Sequence, residues 1–155
     1  MDAHATQMTP AELSSSAVSA TTHCLTGCAL GEFTGMAIAT AFGWGNHTQI
    51  ILAVALAFLF GFSLTARPLV KAGLAFGTVV STALAVDTLS IAIMEIIDNL
   101  TVLLIPNAID AGLDDPLFYG SIAAGFAIAF PFAFLANRYL IARGRGHALV
   151  HEYHH

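Results

Sequence analysis

The segment QIILAVALAFLFGFSLT, residues 49–65, decides the fold class. It runs without a charged side chain and approaches the ~20 apolar residues that cross a bilayer core as a helix. A helix apolar on every side has no face to offer water. The rest of the chain agrees. Of 155 residues, 57% are hydrophobic and 10% are charged, with a mean hydropathy of +0.77. Soluble domains carry roughly 25% charged residues, so this composition cannot build a water-facing surface. The length suits one domain. The reading is all-α: a polytopic membrane protein with four transmembrane helices in a bundle, placed in the cell inner (plasma) membrane.

Working outward from residues 49–65, a first span covers about Thr21 to Trp44 and ends in the turn GWGN. After the second span, ARPLVKAG reads as a turn marked by Pro68. The third apolar segment, Gly73 to Ile105, is too long for a simple crossing at about 1.5 Å per residue, so it tilts or protrudes. PNAIDAGLDDP is an acidic loop punctuated by Pro106 and Pro116. A fourth span, about Leu117 to Ala142, ends at the basic RGRGH. This divides the chain into a polar N-terminal segment (1–20), a four-helix transmembrane domain (21–142) and a basic, His-rich cytoplasmic tail (143–155). In the first of these, TPAE signals a helix start, with Thr9 as N-cap, Pro10 at the first helical position and Glu12 as reciprocal cap. A short interfacial helix is expected there, leading into the first span.

The cations Arg67, Lys71, Arg138, Arg143 and Arg145 form two clusters, too few and too localised for nucleic-acid binding. Positive residues favour the cytoplasmic side. Four spans place both clusters there only if both termini are cytoplasmic, which leaves the Trp44/His47 turn and the Asp110/Asp114/Asp115 loop outside. His147, His151, His154 and His155 read as a solvated tail or a collecting point for metal. Cys24 and Cys28 are too few for an extracellular disulfide framework.

In the first span, THCLTGCALGE (residues 22–32) concentrates heteroatoms. His23, Gly27, Gly31 and Gly35 recur every fourth residue, a small-residue ridge of the kind that lets helices approach closely in lipid. Cys24, Cys28 and Glu32 lie beside this ridge, so the whole motif is expected to face protein. Glycines and cysteines alone would suit packing. Imidazole, two thiols and a carboxylate on adjoining turns also suit a thiophilic or borderline metal.

The third segment, AVDTLSIAIMEIIDN, sets three acids in apolar surroundings. On an ideal wheel Met94 and Asp98 fall within about 20° of Asp87, with Glu95 near 80°. Buried charges are costly and usually face a bundle interior or an aqueous cavity. Glu32, Asp87, Glu95 and Asp98 share the predicted spans with no central lysine or arginine, and Arg138 can reach at most one of them. The rest must be protonated, bonded to polar side chains or neutralised by a cation. If the first and third helices touch, His23, the cysteines and the four acids form an ion route; otherwise they are two separate sites.

Taken together, HCLTGCALGE, FGFSLTARPLVKAG, DTLSIAIMEIIDN, IPNAIDAGLDDPLFYGS and NRYLIARGRGHALVH resemble one family of small prokaryotic membrane proteins, known as a domain of unknown function with an HCxxGC signature in its first helix. The resemblance runs from about His23 to His151. It implies four transmembrane helices and singles out His23, Cys24, Cys28, Glu32, Asp87, Glu95, Asp98 and Asn99 as motif positions. It brings no substrate, cofactor or activity.

Function therefore rests on the side chains. The leading reading is handling of a transition-metal ion (copper, zinc or iron) by His23, Cys24, Cys28, Glu32, Asp87, Glu95 and Asp98. The partners are then the lipid bilayer and further copies of the chain, with the glycine ridge as a candidate interface. The alternative is a structural, accessory subunit of a larger membrane complex. An enzyme is the weaker expectation. Di-iron bundles need a Glu-x-x-His pair on each of two helices, and Glu95 is followed instead by Asp98.

Overall fold

The computed structural model describes residues 9–142; the expectations for residues 1–8 and for the tail, with Arg143, Arg145, His147, His151, His154 and His155, lie outside the described residues. Helix α1 (Pro10–Phe42) begins where the sequence signals it. The Glu12 N–H donates to Thr9 Oγ1 at 3.2 Å, and the Thr9 N–H donates back to Glu12 Oε2 at 2.8 Å. The helix then continues unbroken for 33 residues, so the expected interfacial helix and the first span are one rod. The reason is local: no Gly or Pro lies between Pro10 and Gly27 to stop it. It ends at Gly43, whose left-handed φ of 67° lets its N–H cap the carbonyls of Ala39 and Thr40.

Helix α2 (Asn46–Lys71) is longer than expected and passes through Pro68. A proline so near the helix end removes only its own N–H, and the bond given up is the one to the Leu64 carbonyl. The stop comes instead at Gly73, at φ 79°. Helix α3 (Phe76–Leu104) has 29 residues, or about 43 Å. The overlong apolar segment is thus part turn and part long helix, with Asp87 near its middle. A 3-10 turn (Ala108–Asp110) follows, and helix α4 (Pro116–Ala142) completes the bundle. Pro116 opens α4, and Asp115 Oδ1 accepts the Leu117 N–H at 2.9 Å.

Each helix packs on the next, α4 closes back onto α1, and α1 touches α3 across the diagonal. The buried face of α1 is small or polar except at Met36: Ala17, Ala20, Thr21, Cys24, Gly27, Cys28, Gly31, Glu32, Gly35 and Ala39. Large apolar side chains such as Phe33, Ile51, Leu59, Ile96 and Leu135 point outward. Among the described residues α1, α2 and α4 are long and apolar enough to cross a membrane.

The contact between α1 and α2 sets the geometry. A Cβ on Gly27 would lie 2.9 Å from Gly61 Cα, one on Gly35 would lie 2.7 Å from Ala53 Cα, and one on Gly31 would collide with the Ala57 backbone. Two small-residue stripes, one on each helix, therefore meet backbone to backbone. This corrects the expectation that the ridge serves as an interface between chains, because α2 occupies it within the chain. The glycines predict opposite outcomes for one substitution. Gly31→Ala should lower stability by about 1–3 kcal/mol through overpacking. Gly77→Ala, where a Cβ meets nothing within 4 Å, should be neutral or stabilising by up to about 1 kcal/mol. Thermal unfolding of both variants in detergent checks this.

Candidate functional site

Every fourth residue of α1 from Cys24 to Glu32 turns its side chain inward: Cys24, Cys28 and Glu32 are all buried. Helix α3 answers with Asp87, Ser90, Ile91, Met94, Glu95 and Asp98, also buried. Because α1 and α3 run in the same direction and touch across the bundle, the two sets pair in order along the axis. Cys24 has Ser90 and Asn137 within hydrogen-bonding range and Asp87 within electrostatic reach. Cys28 lies beside Glu95. Glu32 meets Asp98 carboxyl to carboxyl, with Glu95 close by. The two sequence clusters are one constellation, arranged as three rungs: thiol and carboxyl, thiol and carboxyl, carboxyl and carboxyl.

The rungs differ in their support. At the first, Asn137 of α4, fully buried, donates from Nδ2 to Thr21 Oγ1 at 3.1 Å and to Ser90 Oγ at 3.0 Å. That one amide ties α1, α3 and α4 together. At the second, Asn99 Nδ2 donates to the Glu95 carbonyl at 2.8 Å and lies 3.4 Å from Glu95 Oε2. At the third, no N–H or hydroxyl donor among the described residues reaches either oxygen of Glu32 or Asp98 Oδ1. Asp98 fits only because α4 has Gly125 opposite it, where a Cβ would collide with the Asp98 carboxylate.

His23 takes a different direction. It is half-buried, and its Nε2 lies 3.4 Å from Thr65 Oγ1 of α2. Among the described residues no three His, Cys, Asp or Glu side chains converge as a metal-holding group; the sulfur and oxygen atoms are strung along the axis. The described cations sit at helix ends: Arg67 and Lys71 are exposed, and Arg138 Nε points to Ser14 Oγ at 3.4 Å.

Ser90, Asn137 and Gly125 were missed from the sequence. Asn137 did carry a signal, as an amide within an apolar helix. Gly125 carried none, since its role depends on a residue of another helix. The Asp98–Gly125 contact predicts a coupled pair. Gly125→Ala should cost about 1–3 kcal/mol, and most of that cost should vanish in an Asp98→Ala background. A double-mutant cycle measured by unfolding in detergent checks this.

No curated protein and no solved structure matches the chain. Residues 15–146 match a family described as Domain of unknown function (DUF4396), a stretch that takes in the three rungs and nearly all of the four helices. The chain belongs to the DUF4396 family.

Proposed function

We propose that this chain is a four-span integral membrane protein of the inner (plasma) membrane, with both termini cytoplasmic, that handles a transition-metal ion (copper, zinc or iron) in the interior of its bundle. In this reading α3 is the fourth crossing, and its acids face the bundle interior. The observation that carries the reading is the buried, cation-poor ladder between α1 and α3. Among the described residues no cation reaches Glu32, Glu95 or Asp98; acids so withdrawn from water are strongly disfavoured, and in a membrane such residues mark ion or proton pathways.

The donor chemistry divides along the axis. Cys24 and Cys28 supply the sulfur that soft or borderline ions prefer, while Glu95, Glu32 and Asp98 supply oxygen for harder ones. Since the donors are paired rather than gathered, the arrangement suits an ion passed from rung to rung better than one locked in a closed structural centre. His23, near the Cys24 end and turned toward α2, would serve as an approach ligand.

Elemental analysis of the detergent-purified protein tests this. Near-stoichiometric copper, zinc or iron is expected in the wild type, reduced in Cys24→Ser/Cys28→Ser and in Asp87→Asn/Glu95→Gln. No metal in any sample, including one reconstituted anaerobically with Cu(I), Zn(II) and Fe(II), would overturn the proposal in favour of an accessory subunit.

A further inference from the structure

The loop end of the bundle holds a cavity of about 50 Å³ between the four helices and the 3-10 turn, room for a few waters or a partly hydrated ion. Each helix contributes oxygen-bearing side chains to its wall: Glu32 from α1, Gln49 from α2, Asp98 and Asn99 from α3, and Ser121 from α4. Glu32 is 8% exposed and Asp98 2% exposed. Both line the cavity, and apart from their contact with each other neither oxygen of Glu32 nor Asp98 Oδ1 has a hydrogen-bond donor among the described residues. Asn99 spends its Nδ2 on Glu95, which leaves its Oδ1 as the unspent end.

From these oxygens we infer that the cavity is a binding site for a hard, oxygen-seeking divalent cation, held by Glu32 and Asp98 with Asn99, Gln49 and Ser121 as neutral oxygen donors. The inference rests on the cation-handling reading above and moves the point of entry from the thiols to the carboxyls.

Three features support that ion class. Two carboxylates balance two positive charges. Neutral oxygens and retained water complete the coordination that hard divalent ions prefer. Sulfur is scarce: among the described residues the wall holds no cysteine or histidine, and its one thioether, Met36, already accepts from Thr40 Oγ1 at 3.6 Å. Thiol-preferring Cu(I) has little to bind here. Ala108 and Ile109 of the 3-10 turn roof the cavity. Next to them, Asn46 Nδ2 donates to Asp110 Oδ1 at 2.8 Å, tying the start of α2 to the α3–α4 loop.

Mn²⁺ is the probe, titrated into chelator-treated, detergent-purified protein and followed by electron paramagnetic resonance. The expected result is one bound Mn²⁺ per chain, displaced by excess Mg²⁺ or Ca²⁺. Glu32→Gln and Asp98→Asn should each weaken binding about tenfold or more. The milder Gln49→Leu should weaken it less, and Cys24→Ser/Cys28→Ser should leave it unchanged. No Mn²⁺ bound by the wild type would overturn the inference and leave the two carboxyls as a proton-sharing pair. Binding indifferent to Glu32 and Asp98 would overturn it equally. The two proposals fail separately. Mn²⁺ bound at the carboxyls without copper, zinc or iron at the thiols removes the transition-metal reading alone. Thiol-dependent metal without Mn²⁺ binding removes this inference alone.

Discussion

The structure depends on how closely α1 approaches α2. Lipid offers no hydrophobic gain for bringing helices together, so association rests on packing and on polar contacts. With Gly27, Gly31 and Gly35 against Gly61, Ala57 and Ala53, the two backbones touch. That contact occupies one flank of α1. The neighbouring flank, bearing Cys24, Cys28 and Glu32, is left directed at α3 across the bundle. A bulkier residue on the ridge would push α1 away from α2 and change the direction in which the three heteroatoms point.

Burying so many polar groups against α3 is tolerable only with compensation, and the rungs achieve it unequally. Around Cys24 the Asn137 Nδ2 links the hydroxyls of Thr21 and Ser90. At Glu32 and Asp98 no such amide reaches the carboxyls among the described residues, and they face each other and a cavity of about 50 Å³. A fold selected for stability alone would place apolar side chains there.

Much of this was legible in the sequence, and the rest failed for identifiable reasons. The capping box at Thr9 and Glu12 is written in nearby residues and was read correctly, as were an all-helical architecture with three membrane-length apolar helices and the inward placement of Cys24, Cys28 and Glu32. The helical wheel also put Asp87, Met94, Glu95 and Asp98 toward the interior, where all four are buried. A wheel gives a direction within one helix and does not say which helix lies there. Thus the Ala53–Ala57–Gly61 stripe went unread as the partner of the ridge, and His23 was grouped with the cysteines although it turns to Thr65. Pro68 was read as a turn because a proline's local preference is strong. Its position in the last turn of α2, where few bonds are lost, becomes clear only once Gly73 is seen as the stop. Gln49 and Ser121 carry no sequence signal for the cavity, because only the packing of four helices brings them around it.

The central claim is that α1 and α3 are joined rung by rung. Cross-linking in native membranes tests it most directly, using Cys24→Ser/Glu95→Cys so that Cys28 is the only other thiol, beside an outward-facing control, Cys24→Ser/Ile96→Cys. The account predicts a rapid intramolecular cross-link with a short bifunctional thiol reagent for the first protein and none for the control. No cross-link in the first, or equal cross-linking in both, would contradict it.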